Sequence, residues 1–227
     1  MRAHRHAFLI AALAAAALAV AAPQTSALDR AFRIARLKYG GGGDWYSNPS
    51  SLPNLMRGLR DRTSIAVEGT EDARVEALSE ELFEYPLVYM NGHGTVRFTP
   101  EEIERLRMYL ESGGFLWADD NYGMDKSFRE EVKKIFPERP LVEVPFSHEI
   151  YHCYYDFPAG LPKIHKHDGK PSQGFGVFDR GRLVLFYTYE TDIGDGLEDP
   201  DVHNDPPEKR EAAIRFAVNL VHYVMTH

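Results

Sequence analysis

Cys153 is the only cysteine in the 227-residue sequence. Because a single thiol cannot form an intrachain disulfide, the fold must be stabilised by its core, and we expect this thiol to be buried. Basic residues are also few: 26 Lys and Arg stand against 34 Asp and Glu, which gives a formal net charge of −8. Without a basic stripe to neutralise phosphates, the composition argues against nucleic acid as a partner.

Long apolar runs are absent beyond the first residues. Residues 7–22 are continuously apolar, a short basic lead precedes them, and small residues follow. This pattern predicts a secretory signal peptide over residues 1–27, cleaved near 21–27, because the apolar run is short for a retained membrane anchor. Residues 28–227 would then form a single exported domain, periplasmic or extracellular, with no stable membrane span after cleavage.

The stretch from residue 110 to residue 123 predicts the fold class. A charged helical run ends at Gly113 and Gly114, a short apolar run follows, and Asp119 and Asp120 stand where that run ends. A polar turn then leads into another predicted helix. Helix, glycine stop, buried strand, turn and helix form one repeat of an α/β sheet. In open parallel sheets ligands bind at the carboxyl ends of the strands, so Asp119 and Asp120 mark the predicted site.

Similar patterns predict the other elements. Thr99 and Pro100 are a typical helix cap and first-turn residue, so a helix is predicted to begin there. The apolar periodicity predicts strands at 32–39, 64–68, 86–90 and 141–146, helices at 51–60, 71–84, 126–136 and 208–224, and a hairpin at 174–189. An acidic, solvated loop is predicted to follow the hairpin as far as residue 207. His165 and His167 are predicted to be exposed loop residues.

Three short motifs carry a resemblance to a known family. Residues 42–49 (Gly-Gly-Asp-Trp-Tyr-Ser-Asn-Pro), the Gly-His-Gly at 92–94 and the segment 148–152 resemble the family known as domain of unknown function 4159. The order of strand, Thr-Pro-Glu-Glu helix, Gly-Gly, strand and tight turn resembles the wider class I glutamine amidotransferase-like superfamily, including its trehalose-utilisation-type branch. This resemblance implies a flavodoxin-like open, mostly parallel sheet with helices on both faces.

The resemblance does not extend to amidotransferase chemistry. By position, the cysteine of that superfamily falls on Asp119 or Asp120, and no histidine stands at residues 190–192, where its histidine–glutamate pair is expected. A carboxylate is a far weaker nucleophile than a thiolate, and without a partner base the thioester route is closed. Glutaminase activity is therefore not expected.

The leading hypothesis is a domain that binds a small polar ligand, either a carbohydrate or an envelope-derived fragment, at the carboxyl edge of the sheet. The predicted ligand-binding residues are carboxylates, histidines and one aromatic residue: Asp44, Trp45, His93, Asp119, Asp120, His148 and His152. An alternative is a metal- or carboxylate-assisted hydrolase in which Asp119, Asp120 and His93 are catalytic. A third hypothesis is an interaction module of an envelope complex, which would expose an apolar patch instead.

Two parts of this site have simpler interpretations. Asp120 or Asn121, just before a helix, is equally typical of a capping residue that accepts hydrogen bonds from first-turn amides. The glycine run at 40–43 would suit a phosphate cradle, but the lysine and the serine or threonine of a nucleotide loop are missing. A flexible connection with aromatic residues at the sheet edge is the alternative for that run.

The segment 148–152 reads His-Glu-Ile-Tyr-His and matches the H-E-x-x-H zinc motif. That motif requires a helix, which places both histidines on one face. Pro145, Pro158 and the aromatic residues between them oppose a helix, so we predict that residues 147–156 are extended or irregular. A zinc peptidase is therefore the least favoured function.

His148 and His152 nevertheless remain candidate ligands for a divalent metal. In an extended segment they share one face, because side chains alternate with a period of two. A further residue, such as Asp120 or His93, would then have to complete the metal site.

Overall fold

The computed structural model describes residues 31–227, so the predicted signal peptide at 1–27 and its cleavage site lie outside the described residues. The centre of the structure is one sheet. Its strands are β1 (Ile34–Lys38), β2 (Arg74–Glu76), β3 (Leu87–Gly92), β4 (Phe115–Asp120), β5 (Val142–Glu143), β6 (Gln173–Asp179) and β7 (Arg182–Tyr189). Across the sheet they lie in the order β2-β1-β3-β4-β7-β6-β5.

The sheet is mostly parallel. β2, β1, β3, β4 and β7 form successive parallel pairs, whereas β6 is antiparallel to β7 and β5 is antiparallel to β6. The predicted fold class, an open flavodoxin-like α/β sheet, is thereby confirmed. Within residues 31–227, no helix combines the length and the apolarity needed to cross a membrane.

Helices cover both faces of the sheet. They are α1 (Ser51–Arg62), α2 (Pro100–Glu111), α3 (Asp125–Ile135), α4 (Ile193–Leu197), α5 (Pro200–His203) and α6 (Pro207–Thr226). α1 and α6 share one hydrophobic cluster with sheet residues such as Tyr89 and Trp117, and α2 and α3 share a second cluster with Val88 and Ala118. The predicted start of α2 is confirmed, since Thr99 forms a reciprocal capping box there.

The alternation of side chains along β4 decides where its two aspartates point. Trp117 belongs to the core under α1 and α6, and Ala118 belongs to the core under α2 and α3. Successive side chains in a strand point to opposite faces of the sheet. Asp119 therefore lies on the same face as Trp117, and Asp120 lies on the same face as Ala118. Both aspartates are buried. The two adjacent carboxylates therefore lie on opposite sides of the sheet.

Two elements predicted between β1 and β3 are wrong. The segment 64–68 forms no strand and makes one isolated bridge, between Val67 and Phe32. The segment 71–84 is not an α-helix but contains β2 and a 3-10 helix, Glu80–Glu84. Val75 in β2 is 3% exposed. Pairing with β1 and burial of this side chain outweigh the helical propensity of the acidic residues around it.

The only thiol is partly buried. The Cys153 thiol donates to the carbonyl oxygen of Asn219 at 3.1 Å. Burial raises the pKa of this thiol to about 11. Since the thiolate is the nucleophilic form, Cys153 is a structural residue at neutral pH.

Arg36 places a permanent positive charge inside the structure. Its side chain is fully buried, with Nε 3.0 Å from Asp72 Oδ1 and Nη2 2.9 Å from the carbonyl oxygen of Asn48. Nη1 donates to the side-chain oxygen of Asn91, and the guanidinium carbon lies 5.2 Å from the centre of the Tyr89 ring. Arg36 therefore links β1 to the end of β3 and to the loop that precedes α1.

Replacing Arg36 with alanine should lower the free energy of unfolding by about 3–5 kcal/mol, because it leaves the buried partners of the guanidinium without a donor. The matched control is Arg33→Ala, which removes a solvent-exposed pair with Glu84 and should cost less than about 1 kcal/mol. Urea unfolding of both variants gives the comparison. Equal losses in the two variants would contradict the role assigned to Arg36.

Candidate functional site

A buried polar layer forms at the carboxyl ends of β3, β4 and β7. Asn91, Asp119 and Thr188 lie side by side across these strands, and each is 0% exposed. The preceding row on the same face is aromatic, with the ring centroids of Tyr89 and Trp117 4.6 Å apart. An aromatic floor thus supports polar groups at the edge where open α/β sheets bind ligands.

Asp119 is the central carboxylate of this layer. Its oxygens accept hydrogen bonds from the Thr188 hydroxyl and, at 2.6 Å, from the Gly194 N–H. Burial, together with the nearby charge of Asp192, raises the pKa of Asp119 to about 8. Gly194 must lack a side chain, because a Cβ there would collide with the Tyr89 hydroxyl. Because its pKa is raised to about 8, Asp119 is largely protonated at neutral pH, and its carboxyl group can donate a hydrogen bond as well as accept one.

Asp120 is held by the turn that precedes α3 and does not cap the helix itself, whose N-cap, Met124, has no side-chain cap bond. Its Oδ1 accepts from the N–H groups of Tyr122 at 3.0 Å and Met124 at 3.2 Å, and its Oδ2 accepts from the Tyr187 hydroxyl at 3.1 Å. These bonds commit the carboxylate to the turn that leads into α3. The structure does not bring Asp120 into the same space as Asp119, since the two side chains leave β4 on opposite faces.

His93 and Asp44 form a pair on two neighbouring loops. The Nδ1 of His93 lies 3.0 Å from Asp44 Oδ2, and the His93 N–H also donates to the Asp44 carboxylate. Their side chains are 53% and 34% exposed. The loops follow β1 and β3, between which the order of the strands reverses, and such a reversal is a usual ligand position. A carboxylate that holds Nδ1 fixes the imidazole ring and leaves Nε2 for proton transfer.

The glycine run at 40–43 serves the packing of these two loops. The N–H groups of Gly43 and Asp44 donate to the carbonyl oxygens of Thr95 at 3.0 Å and His93 at 3.2 Å. Gly41 has a φ of +102°, and a Cβ there would meet the backbone of the facing loop. The amides of Gly43 and Asp44 therefore hold the two loops together and are not free to bind a phosphate.

Trp45 lies apart from the polar layer. Its ring centroid is 5.9 Å from Lys38 Nζ and 5.6 Å from Arg74 Cζ. These basic residues belong to β1 and β2, at the far side of the sheet from β4. Trp45 therefore lies beside β1 and β2, and the structure does not bring it to Asp119.

His148 lies towards the amino end of β7, not at the carboxyl edge. Its ring packs 5.6 Å from Phe178 and 5.5 Å from Tyr223, and Phe178 pairs with Leu183 near the first residue of β7. The fully buried Tyr151 holds this segment in place, since its ring packs on the phenylalanines of β7 and α6. This packing separates His148 from Asp119.

This segment also lacks the α-helix that the zinc motif requires. Its only helical turn is the 3-10 helix Glu149–Tyr151, which confirms the prediction that residues 147–156 are not α-helical. The Nδ1 of His148 accepts from the Ile150 N–H at 3.2 Å. The nitrogens of His152 lie 2.5 Å from Asp156 Oδ1 and 2.6 Å from a backbone carbonyl oxygen. The predicted metal pair with Asp120 or His93 is not assembled.

The first part of the acidic segment after β7 is buried, so the prediction of a solvated loop is wrong for residues 191–198, whereas most of residues 199–207 are exposed. Residues 191–198 are all buried, and α4 packs against α1 and α6. Ile193 and Leu197 enter the hydrophobic core. Their spacing of four residues places them on one face of a helical turn, and this spacing is the signal in the sequence that indicates burial. Asp195 of α4 and Asp192, its N-cap residue, are therefore buried together with these apolar residues.

His165 is surrounded by three carboxylates. Its Nδ1 lies 2.9 Å from Asp192 Oδ2 and 3.1 Å from Asp195 Oδ2, and its Nε2 lies 3.1 Å from Asp205 Oδ1. Hydrogen bonds to Asp192 and Asp195 raise the pKa of His165 to about 10. Burial raises the pKa of Asp192, but the hydrogen bonds from His165 and His167 outweigh it, and the net pKa is lowered.

Two further histidines join the same carboxylates. His167 Nε2 lies 2.5 Å from Asp192 Oδ2, and the His167 side chain is only 9% exposed. His203 Nε2 lies 3.6 Å from Asp195 Oδ2. The prediction that His165 and His167 are exposed loop residues is therefore wrong. We call the set His165, His167, His203, Asp192, Asp195 and Asp205 the histidine–carboxylate cluster.

Buried polar atoms without a hydrogen-bond partner concentrate at this edge. Within the described part of the chain there are seven such side-chain atoms, and four of them belong to Tyr89, Asn121, Thr191 and Asp192. The amide nitrogen of Asn121 donates to Asp195 at 2.8 Å, so the unpartnered oxygen of Asn121 lies beside the cluster. Because buried polar atoms are normally paired, these atoms mark a place for a ligand, an ion or water.

Sequence comparison places the chain in a family. The profile of the family described as Domain of unknown function (DUF4159) matches residues 33–225. The chain belongs to this family. The match spans β1 to α6 and so includes Asp44, His93, Asp119 and the histidine–carboxylate cluster. A comparison with curated proteins finds no match.

A groove elsewhere on this DUF4159 domain does not coincide with the cluster. It has a volume of about 350 Å³ and is lined by residues of α1, α4 and α6, among them Arg62 and Glu211. These two side chains pair with each other at 2.8 Å. Because the unpartnered polar atoms and the histidines lie at the carboxyl edge, we assign the candidate site to that edge.

The raised pKa of Asp119 predicts a pH dependence of stability. The folded protein retains this proton up to about pH 8, whereas the unfolded chain releases it near pH 4. The stabilisation is therefore complete below about pH 4 and is lost as the pH rises through about 8. In Asp119→Asn this contribution is absent. The free energy of unfolding of the wild type, measured against that of Asp119→Asn, should fall from pH 4 to pH 8 and then level off. A difference independent of pH would contradict the assignment.

Proposed function

We propose that this DUF4159 domain is exported and binds a small polar ligand, a carbohydrate or an envelope-derived fragment, at the carboxyl edge of its sheet. The unpartnered buried atoms of Tyr89, Asn121, Thr191 and Asp192 carry the proposal. They include hydroxyl groups that donate and amide and carboxylate oxygens that accept. A ligand with several hydroxyl groups supplies partners of both kinds, and the cost of leaving these atoms unpaired would be recovered on binding.

Exposed residues provide access to this edge, and we call them the rim: Tyr122 on one side, and His93 with Asp44 on the neighbouring loops. Tyr122 is 52% exposed, its ring centroid lies 5.1 Å from that of His167, and its hydroxyl donates to Asp168 at 2.9 Å. The backbone after Tyr122 approaches the loop that carries His93, since a Cβ on Gly123 would lie 3.7 Å from the Gly94 nitrogen. An exposed aromatic ring between carboxylates and histidines is well suited to a sugar, which has both apolar faces and hydroxyl groups.

The proposal includes an amidotransferase-like ancestry without the glutaminase triad. The end of β4, where the superfamily's cysteine would stand, carries Asp119 and Asp120. Residues 190–192, where its histidine–glutamate pair would stand, carry Glu190, Thr191 and Asp192. At the first position carboxyl groups replace the nucleophilic thiol, and at the second no histidine is present to act as its base. The residues present can accept hydrogen bonds but do not form the acyl-transfer triad.

Hydrolysis of the bound ligand is the second candidate function, and the pair of His93 and Asp44 favours it. An imidazole held through Nδ1 by a carboxylate is a suitable general base for activating water. This pair is exposed at the rim, and the largely protonated Asp119 supplies an acid in the layer below. In this alternative His93 is the catalytic base and Asp119 acts as a hydrogen-bond donor.

Ligand binding should depend on the rim. The full chain is expressed with its own leader, recovered from outside the cytoplasm and checked by amino-terminal sequencing for a start near Ala22 or Leu28. Calorimetric titration with trehalose, N-acetylglucosamine and a muramyl dipeptide should then give saturable binding to one of them. Tyr122→Ala should weaken that binding by about fivefold, since one stacked aromatic ring contributes about 1 kcal/mol.

The control for this experiment is Tyr154→Ala, which removes another exposed tyrosine at a distance from the rim. Equal weakening by both substitutions, or no binding of any probe, would contradict the proposed function. Recovery of the probe unchanged supports binding alone. Cleavage of the probe that is lost in His93→Ala supports the hydrolase instead. An intact Met1 in the soluble cytoplasmic fraction would contradict export.

A further inference from the structure

We propose that His165, Asp195 and His203 bind a divalent transition-metal ion, with Zn²⁺ as the best fit. One ligand atom from each residue lies within 4.8 Å of the other two. Two imidazole nitrogens and one carboxylate oxygen are a usual protein ligand set for zinc, and imidazole disfavours Mg²⁺ and Ca²⁺, which prefer oxygen. This inference goes beyond ligand binding, because the metal can bind whether or not the polar ligand does.

The spacing of the ligand atoms fits a tetrahedral ion. Zinc lies about 2.0–2.2 Å from nitrogen and oxygen ligands, so ligand atoms in a tetrahedron are about 3.4 Å apart. The Asp195 Oδ2 lies 3.1 Å from His165 Nδ1 and 3.6 Å from His203 Nε2. Small movements of these side chains would equalise the two distances. The exposed His203 leaves the ion open on its outer side, as in catalytic zinc sites.

The residues around these three ligands resemble the supporting shell of a metal site. The other nitrogen of His165, Nε2, lies 3.1 Å from Asp205 Oδ1, and a carboxylate in this position orients a metal-bound imidazole. The other oxygen of Asp195, Oδ1, accepts from the amides of Asn48 at 2.6 Å and Asn121 at 2.8 Å. Those bonds fix the carboxylate with Oδ2 towards both histidines.

An unpartnered carboxylate oxygen gives an independent indication. Asp192 is 2% exposed and its Oδ1 has no hydrogen-bond partner among the described residues. Its Oδ2 lies 2.9 Å from His165 Nδ1, so the unpartnered oxygen is beside the same imidazole. A buried carboxylate oxygen is costly without a partner. A cation bound beside His165 would offset the charge of this carboxylate.

Charge also favours a cation. Glu198 approaches His203 Nε2 at 3.9 Å, so four carboxylates with Asp192, Asp195 and Asp205 face the histidines. Zinc binding requires a neutral imidazole, so the ion takes the place of the proton that His165 shares with these carboxylates, and its double charge offsets their repulsion more fully. The site is distinct from the His148 and His152 pair, since both nitrogens of His152 and the Nδ1 of His148 have partners of their own.

The experiment measures metal content and affinity rather than activity. The full chain is stripped with a chelator, dialysed against Zn²⁺, and analysed by mass spectrometry of the metal and by calorimetric titration with ZnCl₂. The expected result is stoichiometric zinc that Mg²⁺ does not displace. His203→Ala, a change at an exposed position that should leave the fold intact, should weaken zinc binding by more than about 100-fold. Asp205→Asn should weaken it by about 10–100-fold, as for other residues that orient a ligand.

His152→Ala is the matched control, since it removes an exposed histidine outside the site and should leave the zinc content unchanged. Circular dichroism of each variant establishes that it is folded. The proposal is overturned if the wild type binds no zinc above the background of the buffer. It is equally overturned if folded His203→Ala binds zinc as tightly as the wild type, or if His152→Ala loses zinc while His203→Ala keeps it.

Discussion

Buried negative charge is the constraint on which the carboxyl edge of this sheet depends. Asp119, Asp192 and Asp195 are 0%, 2% and 8% exposed, and a buried carboxylate is costly unless it is neutralised or bonded. The chain uses a different solution for each. Asp119 is largely protonated, Asp192 is held by two histidines, and Asp195 is held by two side-chain amides and a histidine. Together with the buried guanidinium of Arg36, these contacts join the ends of the central strands to the loops above them.

Backbone strain accumulates at the same edge. Asn48, Glu190 and Asp192 have φ values of +58°, +59° and +59°, in the left-handed region that favours glycine. Each such residue costs about 1–3 kcal/mol and persists only where the surrounding contacts fix it. Asn48 is fixed by Asp195, and Glu190 is fixed by Lys163 at 2.7 Å. Strain and unpaired polar atoms in one place are typical of a functional site, where stability is sacrificed for geometry.

Much of the fold can be predicted from rules that act between residues close together in the sequence. The parallel sheet, the cap of α2 and the position of Asp119 at a strand end follow from the period of two in strands, from capping and from the usual ligand edge of such sheets. The same rules also indicated that the His-Glu-Ile-Tyr-His segment is not an α-helix. These features depend on neighbours in the sequence, and a single sequence shows them.

The parts that failed depend on contacts between distant residues. Where His148 lies is decided by the packing of Tyr151 on residues of β7 and α6. The histidine–carboxylate cluster requires that the loop with His165 reach the segment after β7, which only the folded hairpin between them brings about. The acidic composition of residues 191–198 indicated solvent exposure. These residues are buried instead, because Ile193 and Leu197 of α4 pack into the hydrophobic core. No local pattern links His165 to Asp195.

The central claim is that the unpaired polar atoms at this edge are kept for a ligand and do not stabilise the fold. The free energy of unfolding of Tyr89→Phe, in protein freed of metal and small molecules, tests it most directly. The Tyr89 hydroxyl is buried and has no hydrogen-bond partner among the described residues, so its removal should leave stability unchanged or raise it by about 1–3 kcal/mol. A loss of more than about 1 kcal/mol would show that the hydroxyl is paired in the folded protein, and would contradict the account.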